Sequence, residues 1–236
     1  MQMMNPDIAP DEKLEAARLP PSALLYESVR GRLLTNTLAL GDRFYESDLA
    51  SLINVSRTPA REILIRLSAE GLVTRNGRSY SVREFSIDEI GKLYLIREAL
   101  ECLAARCAIE NLDDADLSRL GALVAAMDHE ASTGNVSAFN LLDCQFHNAI
   151  ASLSQNVFLV EAMSAMQSKA MLIRNRQLSR PQGLRYAQTD HTRILDALAR
   201  RLPDVADAEM RHHIRSSVDV FAAAIEQVRV PEGLLR

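Results

Sequence analysis

Apolar positions in the first third of the chain recur at helical spacing in three short runs, then switch to alternation. In PPSALLYESVRGRLL, Leu25, Val29 and Leu33 fall four residues apart behind Ser22, a side chain suited to open a helix. A turn is expected at Leu40-Gly41-Asp42. ESDLASLI then puts Leu49, Leu52 and Ile53 on one side of a second helix that ends at Asn54, a residue that tolerates the left-handed backbone of a tight turn. The third run carries Ile63, Leu64 and Leu67 as its apolar stripe, with Ser56 or Thr58 as cap. Pro59 lies in its first turn, where a missing N–H costs nothing, and Gly71 stops it. Residues 72–83, LVTRNGRSYSVR, alternate around Asn76-Gly77, a strong hairpin signal. Three helices and a hairpin predict a winged helix-turn-helix over 20–84, preceded by a flexible tail over 1–19.

From Phe85 the period is helical throughout. Ser86 and Glu89 form a capping box for a helix of more than six turns that directs Ile90, Leu93, Leu100 and Leu103 inward. Further amphipathic segments follow at roughly 113–131, 135–153, 156–178, 183–201 and 203–228, separated by Gly134, Ser154-Gln155, Arg180-Pro181 and Pro203. Six helices joined by short connections predict an antiparallel bundle over 85–230, since short links force neighbours to run in opposite directions. The fold class is mainly α.

Charge sharpens this division. The 236 residues carry a net charge of −4, which excludes a uniformly basic nucleic-acid coat. Residues 28–83, however, hold nine Arg against five acids, while the N-terminal residues and the bundle are both acidic. A locally basic segment on an acidic remainder suits a nucleic-acid module carried by a separate domain. Three cysteines, Cys102, Cys107 and Cys144, lie in helical patterns and make no disulfide framework. No apolar run approaches membrane-spanning length and the N-terminus is acidic, so a cytoplasmic protein without membrane contact is expected.

Arg57 and Arg61 stand one turn apart at the start of the third helix. In a winged helix-turn-helix that end enters the major groove, within reach of guanine edges or phosphates. Two arginines on an amphipathic helix also describe a plain solvated face; Arg75 and Arg78 on the hairpin favour DNA. In the bundle, Asp143 and His147 of LLDCQFHNAI share one helical face. His191 and His213 lie on two other helices, divided by Pro203. One Asp and three His make a borderline-hard N/O site for zinc first, with nickel, manganese or iron as alternatives, and with positions left for water or a carboxylate. His129 and His212 are assigned to the core instead. Arg97 falls near the inward side of the first bundle helix, where it either holds an effector carboxylate or pairs with Glu98 or Glu101. Arg174 is a second effector candidate. An open Asp-plus-His site also describes hydrolases and oxygenases, but no nucleophile or separate general base accompanies it. A closed, purely structural metal site is the other alternative.

The run from Leu25 to Val82, with ESDLA, NVSRTPARE, LIRLSAEGLV and the Asn76-Gly77 wing, resembles the DNA-binding domain of the GntR family of bacterial transcription regulators. The resemblance implies DNA contacts from Ser56, Arg57, Thr58, Arg61, Arg75, Asn76 and Gly77. Asn54 stands where the family usually has Gly, and Ser47 where some members place a contacting Arg. The second half resembles the FCD effector-binding domain of the FadR branch, on Arg97 with Leu100-Glu101, Asp143 to His147, DHTRILDAL and MRHHI, with Asp190 in place of the usual Glu. Six helices resemble the VanR-like subgroup. Together these imply a homodimeric regulator rather than an enzyme. It would bind a two-fold symmetric double-stranded operator and respond to a small carboxylate effector at a divalent metal held by Asp143, His147, His191 and His213, with repression as the default.

Overall fold

The computed structural model describes residues 21–38, 40, 43–176 and 183–228, with residue 176 and the final ten by backbone alone. The expected tail over 1–19, the Gly41-Asp42 part of the expected turn and the break at Arg180-Pro181 lie outside these residues. The chain divides into two compact units, Met1–Val82 and Arg83–Arg236.

The first unit is a winged helix-turn-helix. Helix α1 spans Pro21–Leu34, α2 Glu46–Leu52 and α3 Arg57–Ala69. Strands β1 (Val73–Asn76) and β2 (Ser79–Val82) pair antiparallel. Helix α1 begins one residue before Ser22, so Ser22 sits inside its first turn rather than capping it. Tyr26, Val29, Leu33 and Leu34 are its buried positions, and Leu25 is only half-buried. In α2, Leu49 and Ala50 face inward while Leu52 is exposed, a correction to the expected stripe; burial centred between Leu49 and Ala50 turns Leu52 about 110° away at 100° per residue. Asn54 adopts φ 55°, the left-handed turn between α2 and α3. Ile63, Leu64 and Leu67 then hold α3 against the other helices, and Gly71 (φ 72°) ends it.

The hairpin differs from expectation by one residue. Asn76 pairs with Ser79, so the two-residue loop is Gly77-Arg78 rather than Asn76-Gly77. Gly77 at φ 67° takes the first loop position, where a two-residue hairpin needs a positive φ. Phe44 adds a bridge to β2: its N–H donates to the Tyr80 carbonyl at 2.9 Å, and the Tyr80 N–H returns at 2.7 Å. The rings of Phe44 and Tyr80 stack at the wing's base.

The second unit is an antiparallel bundle of six helices among the described residues: α4 (Ile87–Asn111), α5 (Asp114–Thr133), α6 (Val136–Leu153), α7 (Val157–Arg176), α8 (Leu184–Ala199) and α9 (Pro203–Val228). Ser86 and Glu89 form the capping box of α4, and Gly134 closes α5 in the left-handed conformation. Helix α4 packs along α9 and also against α6 and α7, which makes it the central element. Its buried stripe runs through Ile90, Leu93, Tyr94, Arg97, Glu101, Ala104, Ala105 and Ala108. Leu103 is 47% exposed, with Leu95 and Ile96 also on the outside, so its expected inward placement is corrected. Arg97 lies on the inward line as expected, and Glu101, Ala104, Ala105 and Ala108 continue it in place of Leu103. Arg201, at φ 53° after α8, donates from its guanidinium to the carbonyls of Ile109 and Leu112 at 3.0 and 2.6 Å, which satisfies the C-terminal end of α4.

Candidate functional site

In the first unit the candidate DNA-facing residues collect at the start of α3 and on the wing. Ser56 is the N-cap residue of α3, but its side chain makes no capping bond. The first-turn amides of α3 are therefore not covered by it and can meet a phosphate. Ser56, Arg57 and Thr58 are all exposed there. Arg61 is exposed one turn further on, its Nε 3.7 Å from Glu46 Oε1 on α2. On the wing, Arg75 Nε donates to the Gly77 carbonyl at 3.1 Å, and Asn76 Nδ2 donates to Ser81 Oγ at 3.2 Å. Open space surrounds the position a Cβ would take on Gly77, so only the backbone conformation asks for glycine there.

In the second unit, Asp143 and His147 of α6, His191 of α8 and His213 of α9 converge. Each offers a ligand atom within 4.8 Å of the others, and all four side chains are buried. His191 Nε2 stands 3.2 Å from Asp143 Oδ1, and His147 Nε2 stands 3.8 Å from the same oxygen. The His191 and His213 ring centres are 4.4 Å apart, and His147 stacks on His213 at 5.2 Å. Phe139 and Phe146 wall the His191 side.

A second layer of side chains surrounds this group. His147 Nδ1 lies 2.5 Å from Glu101 Oε2, close but not aligned as a regular hydrogen bond. Glu101 Oε1 accepts from Arg97 Nε at 2.7 Å and from Gln167 Nε2 at 3.1 Å. Arg174 Nη1 lies 2.6 Å from Asp143 Oδ2. Asp190 Oδ2 is 3.7 Å from His213 Nδ1. Arg97 therefore pairs with Glu101; Glu98 binds Arg211 and Arg215 instead. Its guanidinium also stacks over the Tyr94 ring.

The electrostatics favour metal-ready protonation states. Burial by itself would raise the Asp143 carboxyl, but Arg174, His147 and His191 outweigh it and hold it well below the usual carboxylate range. Burial likewise opposes ionised Glu101, yet Arg97 and His147 bring it down to about 2. Burial and the neighbouring His213 push His191 down to about 3, against the pull of Asp143. Burial also lowers His213. At neutral pH both imidazoles are therefore neutral and present lone pairs, as metal ligation requires.

The residues fit a divalent ion on structural grounds. Among the described residues, His147 Nε2 and both ring nitrogens of His191 and His213 are buried without a hydrogen-bond partner. Buried polar atoms left in this way call for an occupant. An ion about 2.1 Å from each donor spreads its ligands by up to about 4.2 Å, so closure needs a contraction of about half an ångström.

Of the sequence-derived candidates, the structure brings the four metal candidates together and places Arg97 and Arg174 each beside one of their partners. His129 and His212 are exposed, contrary to their assignment to the core. Their helices turn these two rings outward, and His212 lies 3.7 Å from Asp190 on the outer side. Gln167 carried no sequence signal: a glutamine on a long amphipathic helix reads as solvent-facing. Glu101 was visible as an ion-pair candidate for Arg97 and in the Leu100-Glu101 motif, but not as a neighbour of His147, since that approach depends on how α4 and α6 pack.

Comparisons with known proteins account for both units. The family described as "Bacterial regulatory proteins, gntR family" matches residues 21–80, and the family described as "FCD domain" matches residues 92–216. The "Nta operon transcriptional regulator" of Aminobacter aminovorans is 31% identical over 182 residues, 76% of this chain and 84% of the relative. The "Probable D-xylose utilization operon transcriptional repressor" of Paenarthrobacter nicotinovorans is 29% identical over 200 residues, 84% of this chain and 85% of the relative. The solved structure of E. coli McbR/YncC has the same fold, with a TM-score of 0.76 at 20% identity, covering 88% of this chain and 99% of that one. A GntR regulator from Rhodococcus sp. RHA1 gives 0.74 at 24%, covering 86% and 98%. These relatives are regulators of transcription rather than enzymes, and no helix among the described residues is long and apolar enough to cross a membrane. The chain belongs to the GntR family of bacterial regulatory proteins and is a DNA-binding transcriptional regulator with an FCD domain.

Proposed function

We propose that this regulator is a cytoplasmic homodimeric repressor whose operator affinity is set by a small carboxylate bound at a divalent metal in the bundle. Residues 20–84 read the DNA, through Ser56, Arg57, Thr58, Arg61, Arg75, Asn76 and Gly77, on a two-fold symmetric operator. Residues 85–230 hold the effector and the dimer contact. Asp143, His147, His191 and His213 are the proposed metal ligands, with zinc the first choice for an N/O set and nickel, manganese or iron as alternatives. The ion would supply a fixed positive charge with open coordination positions, and Arg97 and Arg174 would orient the carboxylate beside it.

The observation that carries this reading is the meeting of one carboxylate and three imidazoles, buried and within 4.8 Å of one another, from three helices of the bundle. An ion and carboxylate at that junction favour one arrangement of the helices over another. The effector changes DNA affinity only by its differential binding to those arrangements, typically about 1–3 kcal/mol. The test pairs elemental analysis with operator binding for wild-type and His191→Ala. The expected result is bound metal in the wild type, its loss in the variant, and loss of any carboxylate effect on DNA binding with the winged unit still folded. A wild-type protein without metal, together with an unchanged carboxylate response in the variant, overturns the reading.

A further inference from the structure

Three guanidiniums gather at the wing with no acid to answer them. Arg75 Nε donates to the Gly77 carbonyl, Arg43 Nε donates to Ser79 Oγ at 2.7 Å, and Arg78 stands in the two-residue loop. Among the described residues none of the three forms an ion pair, whereas Arg61 faces Glu46 and Arg30 faces Glu27 and Glu70. All three are exposed. Uncompensated positive charge on an exposed surface draws an anion.

Arg43 is not part of the hairpin. It lies in the short segment ahead of α2, and that segment touches both elements proposed to meet DNA. Arg43 is bonded to Ser79 and Phe44 bridges to Tyr80, both on β2, while Glu46 at the start of α2 stands 3.7 Å from Arg61 of α3. Ser79 has no exposed surface, and its hydroxyl donates onward to the Asn76 carbonyl at 3.0 Å. Its proton is thereby directed to Asn76, which leaves its lone pairs to accept from Arg43. The guanidinium is held beside the wing loop by one nitrogen, and its two Nη groups make no bond among the described residues.

The grooves of a duplex are divided by its sugar–phosphate strands, so a helix in the major groove and a wing over the neighbouring groove straddle one of them. A cation on the segment that joins helix and wing falls opposite that strand. A guanidinium offers a phosphate paired N–H donors, and a fork already anchored at Nε loses less freedom on meeting one.

We infer that Arg43 is a phosphate-binding residue of the winged unit, positioned by Ser79 to grip the strand between the groove entered by α3 and the groove met by the wing. This rests on the reading that α3 and the wing both meet DNA. It adds a contact that carries affinity without sequence preference.

The test measures DNA binding by the full chain between about 50 and 200 mM salt, on the tightest duplex that wild-type protein selects from a random library about three helical turns long. Arg43→Ala is compared with Arg43→Lys, Ser79→Ala and Arg75→Ala, each checked for folding by thermal melting. In Arg43→Ala the slope of log K against log salt becomes shallower by about 0.9 for each copy of Arg43 on the duplex. Binding at about 0.1 M salt weakens about eightfold per copy, by the same factor on base-substituted duplexes. Arg43→Lys keeps the wild-type slope because it keeps the charge. Ser79→Ala weakens binding and keeps the slope, since the charge remains but is no longer held. An unchanged slope in Arg43→Ala beside a shallower one in Arg75→Ala overturns the inference and leaves the wing on the DNA. Unchanged slopes in both overturn the wing reading as well. A slope in Arg43→Lys as shallow as in the alanine variant overturns the phosphate contact, and wild-type binding by Ser79→Ala overturns the positioning by Ser79.

Discussion

Glu101 Oε2 approaches His147 Nδ1 to 2.5 Å across the packing of α4 on α6, while the other oxygen of the same carboxylate holds Arg97 and Gln167. One side chain of the central helix thus sets the orientation of an imidazole on its neighbour. A carboxylate facing Nδ1 fixes which nitrogen keeps the proton and leaves Nε2 to face Asp143.

Glu101→Gln keeps the shape of this contact and removes its charge. Metal affinity is expected to fall by about ten- to hundredfold, the usual effect of losing the group that orients a ligating histidine. Competition against a chelator of known affinity measures this, and unchanged affinity shows that His147 needs no such support.

Acid should loosen the metal-free bundle in a defined window. His191 titrates at about 3 in the folded chain and near its ordinary 6.5 when unfolded. The unfolded state therefore binds the extra proton first as pH falls below 6.5, and stability declines from there towards pH 3 by about 1.4 kcal/mol per pH unit for this histidine. His213, also lowered, adds in the same direction. Asp143 acts in the same direction but lower in range: its depressed value contributes stability that is present above the unfolded carboxylate range and lost only in stronger acid. Thermal melts of chelator-treated protein between pH 7.5 and 5 should show a falling Tm, and a flat profile contradicts the buried neutral imidazoles.

Arg57→Ala should weaken operator binding by about 1–3 kcal/mol and relax preference at one base position if its guanidinium reads a guanine edge. Binding to an operator series with single base changes separates this from a phosphate contact, for which the loss is the same at every sequence and the salt dependence drops.

The isolated segment 20–84 should bind operator DNA more weakly than the whole chain, because a single winged unit engages one half-site and gains nothing from a tethered second copy. Equal affinities in a mobility-shift titration rule out a dimer contribution from the bundle.

The elements were legible in the sequence because local chemistry marks their ends. Ser86 with Glu89, Gly134, Pro59 and Asn54 each occupy a terminus or turn that only a few residue types satisfy, and helical periodicity filled the intervals. The metal candidates were legible because Asp143 and His147 share a face at a spacing of four, and Pro203 separates His191 from His213. Packing was less legible. Leu103 reads as core and is exposed, since hydrophobicity alone does not register that Arg97 and Glu101 share the inward side of α4. Nor does local sequence report that Gln167 and Arg174 of α7 meet partners on α4 and α6. Such contacts depend on which helices become neighbours.

Arg201 bears on any attempt to make this protein more robust. A non-glycine residue at φ 53° invites replacement by glycine, which adopts that backbone conformation without a steric cost. Here the same residue reaches back to the carbonyls of Ile109 and Leu112. Glycine would remove that bracket from the end of α4, the helix that supplies Arg97 and Glu101, so the exchange that relaxes the chain locally would fray the element that flanks the candidate metal site.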